Sequence, residues 1–226
     1  MIKLCEGNKT DFDIKSVELF KIQCSIEAYP DEALSWQQSP DGAAISMLDG
    51  HMVIHDYNAD YEELKGFLRM MAPQSVFSSA ETLRKLGLED FEKVGVYVKR
   101  EDSFCDMESH DLSSDQLYKI LSVEGLELPE YEYFAVDFCH RLNYGLAHYF
   151  ALEDTCAAIT FNSGDYCLVN GVASHKKGMG SVALDGVLSQ NKGKTVYCVC
   201  QDEVSGFYKK NGFEYLYDAG YWRKKG

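Results

Sequence analysis

The chain has no Cys-x-x-Cys pair, although it carries eight cysteines, at positions 5, 24, 105, 139, 156, 167, 198 and 200. Structural zinc sites take closely spaced ligand pairs, so no metal is expected. Long apolar runs are also missing, which argues against a membrane-spanning helix. The opening residues Met1-Ile2-Lys3-Leu4-Cys5-Glu6 are too polar for a secretory leader, so a cytoplasmic location with free, buried, reduced thiols is the expectation. Positive charge is scarce. The 22 Lys and Arg face 36 Asp and Glu, for a formal net charge of −14, which excludes a broad basic face for nucleic acid. No Gly-Lys-Ser/Thr sequence marks a P-loop. His51 and His55 fall on one strand face too far apart to share a metal and read as a surface pair. No cysteine has a recognisable His or Asn partner for thiol catalysis.

What is present is a normal globular composition: 226 residues, 46% apolar, 13% aromatic and 26% charged. Such a chain can build a core of ordinary size, as one large or two small domains. The charge is uneven. Residues 1–111 hold 11 basic and 22 acidic side chains, whereas residues 170–226 hold 9 basic and 5 acidic. The acidic remainder suits a cationic substrate or partner; the C-terminal region tolerates a small polyphosphate.

Periodicity predicts a helix over 16–28 and strands over 33–37, 43–48 and 52–55, separated by Ser39-Pro40-Asp41-Gly42 and Asp49-Gly50. Asp60 caps a helix to Met71, with Glu63 placed for a capping box. A helix over 79–86 and a strand over 94–99 come after it. The polar stretch Arg100–Asp115 reads as a boundary, giving domains 1–104 and 105–226. Beyond it, helices are expected over 114–123 and 131–142, then strands over 147–151, 156–161 and 166–173. A helix over 179–190, a strand over 195–200 and a helix over 204–210 come next. Two short strands, 213–217 and 221–223, flank Asp218-Ala219-Gly220. The halves share a rough element order that makes a duplication conceivable.

The chemistry concentrates between Tyr166 and Gly186. An apolar strand through Val172 and Ala173 enters the turn Ser174-His175-Lys176-Lys177, and Gly178-Met179-Gly180-Ser181 opens a helix. First-turn amides and the positive end of the helix dipole make an anion site, and glycine lets a ligand approach the backbone. Lys176 and Lys177 add charge at its rim. Gly178-x-Gly180-x-x-Ala183, with Asp202 after the next strand, fits a short dinucleotide pattern. Only 24 residues lie beyond Asp202, too few for the rest of that fold, and the turn is too long for it.

A second signal lies downstream, where Phe207-Tyr208-Lys209-Lys210-Asn211-Gly212-Phe213 ends a helix on a left-handed glycine and starts a strand. Taken together, the two segments resemble the GNAT superfamily of acetyl-CoA-dependent N-acetyltransferases. That family pairs an Arg/Gln-x-x-Gly-x-Gly/Ala loop with a Phe-Tyr-x-Lys-x-Gly-Phe helix ending. Gly178 and Gly180 match the first motif; Phe207, Tyr208, Lys210, Gly212 and Phe213 match the second. The likeness spans about residues 112–226. Tyr131–Tyr149, with Asp137, His140, Arg141 and Gly145, is similar to a two-domain bacterial branch whose first half is a shorter GNAT-like domain.

The resemblance implies an α+β GNAT fold: a mixed, mostly antiparallel sheet flanked by helices, with a GNAT-like N-terminal half. It implies acetyl-CoA as cosubstrate, an amine as acceptor, neither nucleic acid nor membrane as partner, and a monomer or homodimer. Val172 and Ala173 would pair with the pantetheine arm, and the amides from Lys177 through Gly178, Met179 and Gly180 to Ser181 would hold the pyrophosphate. Lys176 would stand beside them, Gln201 in the place of a cofactor-contacting Asn, and Tyr208 as the acid that protonates the CoA thiolate. The turn departs from the pattern: it is shorter, His175 replaces the Arg or Gln, and Lys176 replaces a glycine. No acid stands on the strand that often supplies a base; Asp165, Asp137 and Glu132 are regional candidates, and water is another. A catalytically silent acyl-CoA-binding or assembly module is the alternative function.

Overall fold

The computed structural model describes residues 1–5, 13–38, 41–100, 108–123, 126, 128–152 and 155–225. Cys105, the first half of the Ser39–Gly42 turn and residues 101–107 of the expected boundary stretch lie outside the described residues. In chain order the elements begin with β1 (Ile2–Leu4), α1 (Val17–Ala28), β2 (Leu34–Gln38), β3 (Ala43–Leu48) and β4 (His51–Asp56). They continue with α2 (Tyr61–Met71), β5 (Ser75–Ser79), α3 (Ala80–Lys85), β6 (Phe91–Arg100), α4 (Ser114–Leu121) and α5 (Tyr131–Asn143). The last are β7 (Ala147–Leu152), β8 (Cys156–Ser163), β9 (Tyr166–Ser174), α6 (Met179–Ser189), β10 (Thr195–Cys200), α7 (Asp202–Lys210) and β11 (Glu214–Arg223). This is an α+β chain.

Two compact units form. The first comprises Met1–Tyr97 together with Cys200–Gly206 and Tyr215–Gly226; the second comprises Val98–Val199 and Phe207–Glu214. Segments from the C-terminal side of residue 104 therefore pack with the first unit.

In the first unit the strand order is β1-β2-β3-β4-β5-β11-β6. The β1–β4 pairs are antiparallel, β4 and β5 run parallel, and β11 is antiparallel to β5. The α2 helix makes the parallel crossover that such a pair requires. Trp36, Ile45, Ile54, Leu64, Phe67 and Leu83 form one apolar core on the sheet. Asp60 caps α2 as expected, accepting from the Glu62 and Glu63 amides at 3.1 and 3.2 Å. Glu63 does not close a capping box. Its carboxylate accepts instead from the Ile2 amide at 2.6 Å and from Gln38 at 2.8 Å, fastening β1 and β2 to the helix.

In the second unit the order is β10-β9-β8-β7, with β9 and β10 parallel and the other pairs antiparallel. Helices α4 and α5 supply Leu117, Ile120, Leu121, Phe134 and Phe138 to a core whose sheet side is largely alanine (Ala147, Ala151, Ala157, Ala173). Small residues on the strands let these bulky chains sit close to the backbone. Arg141 of α5 is buried, paired with Asp137 at 2.8 Å and lying 4.5 Å over the Phe161 ring. Asp137 and Arg141 thus form an i,i+4 ion pair in the second half of α5.

Three differences from the sequence reading stand out. The strands β1 and β5 were not expected: β1 has three residues, and β5 is the serine-rich run Ser75-Val76-Phe77-Ser78-Ser79 after Pro73. The two C-terminal strands are one, β11, running through Asp218-Ala219-Gly220 without a break. Gly220 is there for packing, since a Cβ at that position would stand 2.3 Å from the Phe91 ring and 3.0 Å from Leu83. Gly220→Ala should therefore destabilise the protein by about 1–3 kcal/mol, the usual cost of overpacking. Urea denaturation followed by circular dichroism measures this.

Candidate functional site

The site starts with a strand pair that stops early. β9 and β10 pair from Tyr166↔Thr195 to Val169↔Cys198, four rungs, and β9 then continues to Ser174. On its other edge β9 remains paired with β8, but the register shifts between Ile159 and Thr160, so Asn170 is an extra residue, a β-bulge. A bulge bends its strand and increases its twist. The segment carrying Val172 and Ala173 thus pairs with β8 through Ala158 and Ala157, while its pairing to β10 has already ended.

The chain then turns into α6. Ser174 Oγ accepts from the Lys176 amide at 3.1 Å and donates to the Lys176 carbonyl at 2.6 Å, and the His175 amide donates to the Thr155 carbonyl at 2.9 Å. Gly178 occupies the N-cap position at φ 88°, a left-handed conformation, and no side chain caps the helix. Met179 donates its amide to the Lys176 carbonyl at 3.1 Å. The Gly180 and Ser181 amides belong to the turn that a helix cannot satisfy from within. Buried Ala183, Leu184, Val187 and Leu188 hold α6 on the sheet. Gly186 lets it lie close, because a Cβ there would fall 2.4 Å from the Phe150 ring.

The second motif meets the first at this helix end. Ser174, His175, Lys176, Lys177, Gly178, Gly180, Ser181, Phe207 and Lys210 line one cavity of about 370 Å³. Phe207 lies against Gly180, whose added Cβ would sit 3.5 Å from that ring. The end of α7 is fixed by a double turn bond: Phe213 donates to the Tyr208 carbonyl and Gly212 to the Lys209 carbonyl, both at 3.1 Å, with Gly212 at φ 84°. This is the Schellman ending that a left-handed glycine permits. Three ammonium groups, from Lys176, Lys177 and Lys210, surround a helix N-terminus, and among the described residues the lining holds no carboxylate.

Of the residues singled out by sequence, Lys176, Lys177, Gly178, Gly180 and Ser181 converge on the cavity; Met179, half-buried, sits between them in the chain. Tyr208 does not line it. Its half-buried ring packs edge-on between Phe207 and Phe213, with centroids at 5.1 and 5.5 Å. Gln201 donates to Glu92 at 2.6 Å and lies outside the lining. Asp165 and Glu132 are exposed, and Asp137 is engaged by Arg141. Lys210 and Phe207 carry no ligand-binding role in the sequence reading, although both sit in the second motif. Among the described residues no group of three His, Cys, Asp or Glu could hold a metal, and no helix is long and apolar enough to cross a membrane.

Gly178→Ala adds a methyl group in open space, so its cost is backbone strain alone. Unfolding free energy should fall by about 1–2 kcal/mol. Nuclear magnetic resonance should place the disturbance at the α6 N-terminus.

No protein-family model matches the chain, and no curated protein matches it in sequence. Solved structures do. A candidate acetyltransferase from Pyrococcus horikoshii superposes with a TM-score of 0.59 at 10% identity, over 100% of this chain and 89% of its own. A tandem GNAT protein from the clavulanic acid biosynthesis pathway gives 0.56 at 10% identity, covering 99% and 98%. A GCN5-related N-acetyltransferase from Sphaerobacter thermophilus gives 0.54 at 13% identity, covering 99% and 95%. The likeness runs over both units, and the chain has the GNAT fold.

Proposed function

We propose that the protein is an N-acetyltransferase that moves an acetyl group from acetyl-CoA to an amine. The observation that carries this reading is the single cavity in which an uncapped helix N-terminus, two glycines and three lysines converge. A diphosphate carries two negative charges and oxygens that accept hydrogen bonds along its length, and this cavity supplies both complements. The segment at Val172 and Ala173 extends the same path, because its pairing with β10 has ended; an amide-bearing pantetheine arm would pair there as an added strand.

In the proposed reaction the amine nitrogen attacks the thioester carbonyl, a C–N bond forms and the C–S bond breaks. The acceptor proton leaves to water or a nearby base, and the departing thiolate takes a proton from Tyr208. A phenol hydroxyl is a chemically suitable proton donor to a departing thiolate. Packing of Tyr208 between Phe207 and Phe213 fixes the ring, which favours a positioned acid. The strongly acidic composition, at −14, supports a cationic amine as acceptor, a small molecule or a peptide.

Calorimetry with acetyl-CoA tests the cradle. Gly180→Ala places its Cβ in ordinary contact with Phe207 and should change affinity less than about threefold. Gly180→Glu puts a carboxylate among the lysines and should weaken binding at least tenfold, about 1.4 kcal/mol. Equal affinities for the two variants, or no binding by the wild type, would remove the assignment. Tyr208→Phe should lower turnover by about 10²-fold or more with acetyl-CoA affinity nearly unchanged. Parallel loss of both would take the acid role from Tyr208. A protein that binds acetyl-CoA and releases no CoA with any amine would be the silent module.

A further inference from the structure

A cavity of about 810 Å³ lies within the first unit, where the parallel pair β4–β5 begins. Strand register decides what forms its floor. Val53 stands opposite Phe77 and Phe77 opposite Tyr221, so one rung across β4, β5 and β11 is apolar and aromatic. The next rung on the same face, two residues along, is His51, Ser75 and Arg223, and it is polar. His51 Nδ1 and Ser75 Oγ lie 2.7 Å apart, which fixes that edge. Phe77 is buried, and Val53 and Tyr221 are half-buried. The two histidines expected as a surface pair differ here: His51 is exposed and lines this cavity, whereas His55 is half-buried and does not.

The sign of the cavity comes from α1 and the end of β11. Lys21 Nζ lies 4.7 Å from the centre of the Phe77 ring and 5.6 Å from that of Tyr221, and it donates to the Tyr221 hydroxyl at 3.3 Å. A lysine on a helix surface normally carries its ammonium out into water, but this one is half-buried and lies along two ring faces. The rings restrict the side chain in advance, so little of its freedom remains to be lost on binding. Arg223, Lys224 and Lys225 also line the cavity, and among the described residues the lining holds no carboxylate. Two of these cations have partners outside it: Lys225 pairs with Asp90 at 2.8 Å, and Arg223 stands 3.9 Å from Glu92. Lys21 and Lys224 have no carboxylate at ion-pair distance among the described residues. Glu18, three residues earlier on α1, feels the Lys21 charge but turns to Tyr217. Residues 1–111 hold 22 acids against 11 bases, so a cavity walled without an acid is a local reversal of sign.

We propose that this cavity binds a small organic anion, a carboxylate carried on an aromatic skeleton, whose head is met by Lys21 and Lys224 and whose body packs on Val53, Phe77 and Tyr221. This site stands independently of acetyl transfer at α6. A carboxylate accepts charge-assisted hydrogen bonds from ammonium groups. The Phe77 and Tyr221 rings meet at 4.6 Å with a 43° tilt, and a further ring extends such a cluster. A bare inorganic anion would leave the apolar rung wet, and an uncharged hydrocarbon would leave the ammonium groups unmatched. An apolar rung beside a cationic edge on one floor selects a ligand that has both parts.

Titration calorimetry on the full chain with 1-naphthoate should show binding at millimolar affinity or better. Naphthalene-1-carboxamide, its uncharged counterpart, should bind at least fivefold more weakly. Neither 1-naphthylmethylammonium nor acetate, a head without a body, should bind. Lys21→Met keeps the stem along the rings, removes the charge and should weaken naphthoate about tenfold. Should that variant fold poorly, Lys224→Glu reverses an exposed charge while its backbone bond to Gln74 is kept, and should weaken naphthoate at least threefold. No binding of naphthoate by the wild type, or carboxamide or ammonium affinity within twofold of naphthoate, would overturn the proposal. Naphthoate affinity within twofold of wild type in a folded Lys21→Met or Lys224→Glu protein would overturn it as well. Gly180→Glu should leave naphthoate affinity within twofold of wild type; a tenfold loss there would put the anion on the α6 lysines and reject this site. Acetyl-CoA affinity measured on the same samples reports on the α6 cradle, so failure of one site is read separately from failure of the other.

Discussion

A parallel strand pair that stops after four rungs is the constraint on which the site at α6 depends. Backbone amides and carbonyls inside a protein are almost always paired, and an interior strand normally has both edges satisfied. β9 departs from that pattern past Val169, where the Asn170 bulge alters its course while β8 stays paired alongside. The bulge permits the departure because its extra residue absorbs the change in register on one side only. The Ser174 turn, the left-handed Gly178 and the axis of α6 all inherit the direction of the bent strand. A straight β9 paired to its end would close the edge along Val172 and Ala173.

Within each unit a strand, a helix and a parallel strand make the same kind of crossover, and the helix starts are treated in opposite ways. At α2 the chain supplies its own anion, since Asp60 accepts two first-turn amides. A carboxylate cap of this kind is worth about 1 kcal/mol. At α6 the chain forgoes a side-chain cap and puts a glycine there, with lysines at the rim. Local stability is given up where a ligand can later replace it, which is a common signature of a functional position. The same contrast explains why a shared element order does not mean shared chemistry. One helix start is capped by the protein's own carboxylate, and the other has no side-chain cap.

Long elements with clear punctuation were legible in the sequence. α2 between Asp60 and Met71, β3, β9 and α6 match their expected spans to within a residue or two. So was the strand-to-helix turn between β9 and α6, because glycine at such a junction has local physical meaning. Elements whose existence depends on distant partners were harder to read. β5 is short and serine-rich, and it forms because β4 and β11 flank it. Gly220 carries the same letter as a turn glycine, yet Phe91 and Leu83 dictate it from 129 and 137 residues away in sequence. Gln201 shows the limit of motif alignment, since its amide is engaged by Glu92, a residue no local pattern connects to it.

The polar core of the first unit was hidden for a related reason. Glu18 sits in an apolar helical run, where a single acid reads as the solvent face of α1. The helix is in fact buried around most of its circumference, through Val17, Leu19, Phe20, Ile22 and Ile26, so the acid goes inward with them. Tyr217, nearly two hundred residues away, donates to its Oε2, and the start of α1 itself, through Ser16 and the Glu18 amide, supports the carboxylate.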